Sequence, residues 1–129
     1  MLLNDEKSLE KRKAVWVALS DLFLDTDVSL SYEYIARVCG ESSFTLEELK
    51  EILDSEVAPV CSRNLLSIAG EWDGFDEEWL VSSIKNNILS KKGIVKKILS
   101  PLKNFGFNTY IRIHWIKVKP IIIQNRITT

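Results

Sequence analysis

The chain of 129 residues has no aspartate or glutamate after Glu78, and it contains one histidine and two cysteines. A catalytic triad is nearly excluded, because no acid follows His114 to orient its ring. Cys39, Cys61 and His114 also lack the paired short spacing of zinc sites. The five glycines form no phosphate-binding loop. We therefore expect no catalytic residue, no metal and no cofactor.

Long apolar runs and disulfide signals are also scarce. The apolar runs fall far below the length that crosses a membrane, and charges occupy the N-terminal positions where a signal peptide needs its apolar core. Two cysteines among apolar residues fit buried free thiols better than a disulfide framework. These features predict a cytosolic protein.

The net charge of −1 conceals a division along the chain. Residues 1–80 hold all 18 acidic residues and 7 basic ones, which gives −11, whereas residues 81–129 hold 10 basic residues. Such asymmetry indicates an interaction surface or a charged tail. The alternative is that the basic segment folds against the acidic body and neutralises it.

Hydrophobic periodicity predicts helices through the acidic part. The first runs from about Lys7 to Leu24, with Arg12 among the residues of its solvated side. Thr45 and Glu48 form the T-x-x-E capping box that starts the third helix. Pro59 suits the first turn of the fourth, because its missing N–H would be unpaired there.

Two more helices have recognisable ends. Gly40 stands where the second helix needs a left-handed C-terminal residue. Asp76 caps the fifth helix, after a turn at Asp73 and Gly74. Trp79 is expected in the buried apolar face of this fifth helix, with Leu80, Ile84 and Ile88.

The last third follows a different pattern. Residues 90–105 suit a basic amphipathic helix, whereas Thr109 to Trp115 alternates as a strand does. Pro120 restricts the next run to an edge, so a β-hairpin and an ill-packed tail are equal alternatives. The chain is thus predicted to be mainly α: a compact bundle of about five helices in residues 1–90, an acidic domain. Residues 91–129 would be a basic C-terminal extension, packed on it or flexible.

An enzymatic alternative rests on Asp25 and Asp27, which resemble a D-x-D phosphotransferase motif. That motif follows a strand and needs later acidic ligands, but residues 9–23 have helical periodicity and no acid follows Glu78. A helix end with a capping turn is the favoured interpretation. The enzymatic hypothesis predicts a magnesium-dependent hydrolysis that Asp25→Asn abolishes.

The stretch from Asn64 to Leu80 concentrates acids around aromatic residues. Aromatic residues ringed by charge are typical of interface hot spots, and an acidic surface steers a basic partner. The candidate partner-binding residues are Glu71, Trp72, Asp73, Phe75, Asp76, Glu77 and Glu78. A buried or an exposed Trp72 is about equally expected.

Two segments carry a family resemblance: RKAVWVALSDLFLDT, from Arg12 to Thr26, and NLLSIAGEWDGFDEEWL, from Asn64 to Leu80. They resemble a small bacterial domain family of unknown function, over about residues 10–90. The resemblance implies no activity and no catalytic residue. By analogy alone, small acidic bacterial proteins of this size are often immunity proteins that neutralise a toxin.

The sequence therefore favours a protein-binding module. Its most specific form is a bacterial immunity protein that masks a basic toxin, such as a nuclease, with its acidic surface. The alternative is a module that binds nucleic acid or an anionic membrane through its basic segment. The anion-binding residues would then be Lys91, Lys92, Lys96, Lys97 and Lys103. The sequence leaves the homo-oligomeric state open.

Overall fold

The computed structural model describes residues 6–66, 70–71, 73–89 and 105–128, and these residues form helices without any strand. The predicted mainly α class is confirmed. The α-helices are α1 (Glu6–Ser20), α2 (Tyr32–Glu41), α3 (Leu46–Ile52), α4 (Ala58–Cys61), α5 (Glu77–Leu89) and α6 (Phe105–Thr128). Short 3₁₀ turns cover Asp21–Phe23, Val28–Ser31 and Ser62–Leu66.

Helix α1 is the centre of the fold, because it contacts both α2 and α5. Its core face holds Trp16, which is fully buried. The buried set continues through the other helices with Phe23, Ile35, Leu49, Leu53, Leu80, Ile84, Trp115, Val118 and Ile122. One hydrophobic core therefore joins the acidic helices to α6.

The predicted capping box is confirmed at the start of α3. The Thr45 hydroxyl accepts from the Glu48 N–H, and the Glu48 carboxylate accepts from the Thr45 N–H. Pro59 lies in the first turn of α4, as expected. However, α3 and α4 are joined without a break by a π-helical segment, Leu53–Val57, so they form one continuous helical run.

The strand predicted over Thr109–Trp115 is wrong, and with it the possible hairpin, because this segment lies within α6. Seven alternating residues fit a strand, but Ile111, Trp115, Val118 and Ile122 recur at helical spacing over a longer stretch. That buried stripe packs on α2. Pro120 is exposed on the side of α6 away from α2, so it is not part of the buried stripe.

The prediction that Gly40 ends α2 in a left-handed conformation is wrong, because Gly40 lies inside the helix. A Cβ atom there would lie 3.7 Å from the Asn125 Cβ and 3.9 Å from the Ile122 carbonyl oxygen. Both are ordinary van der Waals distances, so α6 packs beside this position with room for a small side chain.

Arg126 fixes the far end of α6. Its Nε donates to the Gly40 carbonyl at 3.2 Å, and its Nη2 lies within hydrogen-bonding distance of three more carbonyls: Cys39 at 3.1 Å, Ser42 at 3.3 Å and Phe44 at 2.6 Å. The Cys39 and Gly40 carbonyls belong to the last turn of α2 and the other two follow its end, where the helix dipole favours a cation. A basic side chain of the C-terminal segment thus acts as a cap.

Candidate protein-binding surface

The loop before α5 is held by the side chain of Asn64. Its Nδ2 donates to the Phe23 and Glu71 carbonyls, both at 2.9 Å, and its Oδ1 accepts from the Glu71 N–H at 2.8 Å. The Asp25 N–H also donates to the Glu71 carbonyl, at 2.7 Å. These bonds tie the loop backbone to the end of the α1 region.

Gly70 makes this clamp possible. A Cβ atom at this position would lie 2.8 Å from the Asn64 carbonyl oxygen and 2.9 Å from its Oδ1, which is closer than real Cβ contacts allow. Gly74 follows with φ of +148°, a value that residues with a side chain rarely adopt. Two glycines thus shape the backbone that leads into α5.

Helix α5 begins at a side-chain cap, as predicted. The Asp76 carboxylate accepts from the Trp79 N–H at 2.9 Å, and the Asp76 carbonyl accepts from the Leu80 N–H at 2.9 Å. Glu77 and Glu78 occupy the first turn, where the helix dipole stabilises negative charge. The cap fixes the direction in which the first turn presents its side chains.

The prediction that Trp79 lies in the core is wrong, because its side chain is 48% exposed. The buried face of α5 consists of Leu80, Val81 and Ile84, and Trp79 lies about 100° around the helix from Leu80. Its ring stacks on that of Phe75, with centroids 5.9 Å apart and planes 19° apart. Phe75 is half-buried against the core, so the exposed indole has a fixed support.

The acids around this stack remain in solvent. Glu71, Asp73, Asp76, Glu77 and Glu78 are exposed. None of them forms an ion pair within the part of the chain that the structure describes, where the pairs are Arg12–Glu56, Lys13–Glu10 and Lys50–Asp54. We call these five acids, with Phe75 and Trp79, the acidic aromatic surface. Trp72 was also predicted to bind the partner, but it lies outside the described residues.

The alternative anion-binding residues Lys91, Lys92, Lys96, Lys97 and Lys103 all lie outside the described residues as well. Of the basic residues in α6, Arg112, Lys117 and Lys119 are exposed. They make no ion pair within the described ranges. Within the described residues, α6 therefore packs on α2 mainly through apolar side chains, with Arg126 as a cap, and these three cations do not pair with the acids.

A buried polar network was missed at the sequence level. Arg12, expected in solvent, is 2% exposed, and its Nη1 donates to both Glu56 carboxylate oxygens, at 2.9 and 2.7 Å. The Trp16 Nε1–H donates to the same carboxylate at 2.8 Å. The Arg12 guanidinium also lies 5.3 Å from the Phe44 ring centroid. The spacing could have indicated this burial, because Arg12 precedes Trp16 by four residues and therefore lies on the same face of α1.

A second polar cluster joins α6 to the start of α2. The Tyr32 hydroxyl lies 2.5 Å from the His114 Nδ1, and the Tyr110 ring lies 4.4 Å from the His114 ring. The Tyr110 hydroxyl donates to the Leu22 carbonyl. Burial, reinforced by nearby Lys117, lowers the pKa of His114, so the neutral ring is favoured. This cluster ties three elements together.

The thiols show no sign of activation. Cys39 and Cys61 are buried, and desolvation raises the pKa of each to about 12. No group of three or more potential ligands within the described ranges is placed to hold a metal. Asp27 accepts hydrogen bonds from the N–H and hydroxyl of Ser29, which makes it the cap of a 3₁₀ turn.

An open cleft of about 780 Å³ lies between α2 and the end of α6. Its lining carries both signs of charge, and the Arg37 guanidinium lies 5.7 Å from the Tyr34 ring centroid. The lining residues are Glu33, Tyr34, Arg37, Gly40, Glu41, Asn125 and Thr128. The lining combines two acids with one base, so its charge favours neither an anion nor a cation strongly.

These features define a mainly α-helical domain with an exposed acidic aromatic surface. Within the described ranges, none of the helices has both the length and the apolar character needed to span a bilayer. The chain belongs to the DUF7079 family, a domain of unknown function, whose model matches residues 10–121. The predicted membership in such a family is confirmed. The match continues past residue 90, where the expected resemblance ended, and reaches Ile121 in α6. Neither the curated proteins nor the solved structures give a match.

Proposed function

We propose that this protein binds another protein through its acidic aromatic surface. The observation that carries the proposal is the Phe75–Trp79 stack, in which Trp79 is exposed, with five exposed carboxylates nearby in the sequence that form no ion pair within the described part of the chain. An aromatic anchor with a charged rim is the composition of an interface hot spot. The partner that fits this chemistry is a basic protein.

The acidic aromatic surface is preorganised, because hydrogen bonds within the chain fix its backbone. The Asn64 clamp holds Glu71, and the Asp76 cap holds the first turn of α5. A preorganised surface loses little side-chain and loop freedom on association. The negative charge of residues 1–80 would also accelerate the encounter with a basic partner, most strongly at low salt.

The most specific form of the proposal is an immunity protein that neutralises a basic toxin, such as a nuclease. The carboxylates would compete with phosphate for the cationic groups that hold nucleic acid, while Trp79 would fill an apolar recess beside them.

Co-purification and rescue test the proposal together. The protein is co-expressed with the product of the neighbouring gene, and both binding and cell survival are measured. We expect Trp79→Ser combined with Glu77→Lys to weaken binding by about a hundredfold, the range of about 2–3 kcal/mol that hot-spot residues carry. No binding and no rescue by the natural chain would reject the immunity function.

A matched control changes charge at another helix start. Glu47 lies in the first turn of α3 and is exposed, as Glu77 is in α5. Glu47→Lys therefore changes the net charge and the helix-dipole interaction equally. Binding should survive it with at most a loss of speed. Equal losses from Glu47→Lys and Glu77→Lys would indicate general charge attraction instead of a defined surface.

The second candidate function is binding of nucleic acid or an anionic membrane. The exposure of Arg112, Lys117 and Lys119, without ion pairs in the described part of the chain, favours it. Phosphate contacts of this kind weaken steeply with salt. Retention on heparin at low salt that Lys117→Gln with Lys119→Gln removes would support this function. Retention unchanged by that double substitution would argue against α6 as its site.

A further inference from the structure

Helix α6 has two apolar faces on opposite sides. The inward face, around Trp115 and Val118, packs on α2. On the other side are Ile113 (49% exposed), Ile116 (60%), Pro120, Ile123 (39%) and Ile127 (72%), and Pro120 is exposed as well. We call these five residues the outer stripe. Since isolated exposed apolar residues are common but aligned ones are not, the outer stripe indicates a docking surface.

The spacing of the outer stripe indicates what kind of surface it meets. Its residues are separated by three, four, three and four positions, which is the a/d repeat of a helix–helix seam. At about 100° per residue, they lie within an arc of about 80°. An interfacial membrane helix buries a broad apolar face, whereas a narrow seam fits a ridge of protein side chains.

The charge around the outer stripe selects an acidic occupant. Arg112 and Lys119 flank it on one side and Lys117 flanks it on the other, and α6 contains no acid. All three cations are exposed and form no ion pair within the described ranges. Pairing α6 with the α6 of a second copy would place these like charges together with no acid from either helix between them.

The same chain carries a surface with the complementary properties. The acidic aromatic surface offers the Phe75–Trp79 stack with a rim of carboxylates. It continues along α5 as an exposed ridge that ends at Leu89, which is 66% exposed. Trp79 and Leu89 lie on one side of α5, together with the exposed Ser82 and Asn86 between them, again at three- and four-residue spacing.

The two surfaces do not cover each other within one chain. Helix α5 packs on α1 and helix α6 packs on α2, so they are carried by different neighbours. Trp79 and Ile116 are both exposed in the single chain. If the two surfaces meet, they meet between copies.

We propose that the outer stripe of α6 in one copy docks on the acidic aromatic surface of a second copy. The isoleucines would lie along the ridge from Trp79 to Leu89, with Lys117 and Lys119 near the carboxylates at the start of α5. Because two different surfaces meet, the contact is heterologous and produces head-to-tail oligomers or rings. Opposite charges align the copies, and burial of the outer stripe holds them.

Sedimentation of the full chain tests this association. The weight-average mass should rise with protein concentration at about 0.1 M salt and fall at about 1 M salt, where the screening length drops from about 10 to about 3 Å. Ile116→Ser and Trp79→Ser should each weaken self-association at least about tenfold, the effect of removing one buried anchor. Leu30→Ser is the matched control, because Leu30 is 83% exposed outside both surfaces.

A mixing experiment then establishes the heterologous geometry. The Ile116→Ser chain keeps an intact acidic aromatic surface, and the Trp79→Ser chain keeps an intact outer stripe. At a concentration where each variant alone is monomeric, an equimolar mixture should form a one-to-one dimer through the single intact pair. Circular dichroism and thermal melting of each variant confirm that it is folded.

Several outcomes would overturn the proposal. A natural chain that stays monomeric at every concentration rejects it, and so does a mixture that stays monomeric. Self-association that survives Trp79→Ser but not Ile116→Ser would indicate α6–α6 pairing. Binding to vesicles of phosphatidylglycerol and phosphatidylcholine that requires Ile116 in a monomeric chain would assign the outer stripe to a membrane.

The inference shares the acidic aromatic surface with the proposed function but fails separately from it. Toxin neutralisation should be lost in Trp79→Ser and kept in Ile116→Ser, whereas self-association should be lost in both. A chain that rescues cells yet never self-associates would retain the proposed function and reject this inference.

Discussion

Replacing Glu56 by Gln is the sharpest test of how this fold is held together. Glu56 is 8% exposed, and its carboxylate accepts hydrogen bonds from Arg12 and Trp16. Glutamine preserves the size and one oxygen for the Trp16 Nε1–H, but it removes the charge that balances the buried guanidinium. Breaking a buried pair on one side costs about 3–5 kcal/mol. We expect a loss of about that size in the free energy of unfolding.

Urea unfolding followed by tryptophan fluorescence measures this loss. With a total stability of about 5–15 kcal/mol, this loss would move the variant much closer to its midpoint and, at the lower end of the range, leave it only marginally folded. Glu10→Gln is the matched control, because the Lys13–Glu10 pair is on the surface, where pairs contribute about 0–1 kcal/mol.

The double variant Arg12→Met with Glu56→Gln separates charge from packing. It removes both charges and keeps an acceptor for Trp16. Most of the lost stability should return, because replacing both partners of a buried pair is often near neutral. A Glu56→Gln variant that loses less than about 1 kcal/mol would refute this explanation, and so would a double variant with additive losses.

Three further predictions concern the contacts between elements. Arg126→Ala should destabilise the protein by about 2–3 kcal/mol in urea unfolding, since charged hydrogen bonds are lost, whereas exposed Arg112→Ala should change stability by less than about 0.5 kcal/mol. Gly70→Ala should lower the free energy of unfolding in urea by about 1–3 kcal/mol, because its Cβ clashes with Asn64. Gly40→Ala is the control and should leave stability nearly unchanged, because its Cβ meets only ordinary contacts. Burial lowers the pKa of His114 in the folded state, so the unfolded chain binds that proton more readily. Stability should therefore decrease as pH falls from about 7 to about 5, and less steeply in His114→Gln; an unchanged slope would contradict a role for this ring.

The features that the sequence predicted well are those settled within a few residues. The Thr45–Glu48 box and the Asp76 cap depend on side chains that reach backbone groups three positions away. The mainly α class was also predicted correctly, because amphipathic periodicity is a local property of the sequence. On the candidate surface, the exposed carboxylates were also placed by local rules, since helix starts favour acids in solvent.

The features that it predicted poorly depend on distant partners. Arg12 is buried because Glu56, 44 positions later, supplies the opposite charge. Thr109–Trp115 satisfies both a strand pattern and a helical one, and the packing of α6 on α2 decides between them. Trp79 is exposed because Leu80 and Ile84 already fill the inward side of α5. The predicted boundary at residue 90, between an acidic domain and a basic C-terminal extension, stays a prediction.

The π-helical segment Leu53–Val57 has a consequence for how related chains should be aligned. A π turn accommodates one residue more than an α turn, so it amounts to an insertion that the helical run has absorbed. The wider turn brings Glu56 into the core while Val57 and Ala58 still face it. Deleting one residue there would restore α-helical register and rotate the carboxylate by about 100° away from Arg12. In a homologue one residue shorter at this point, both members of the ion pair should therefore be replaced together by apolar residues.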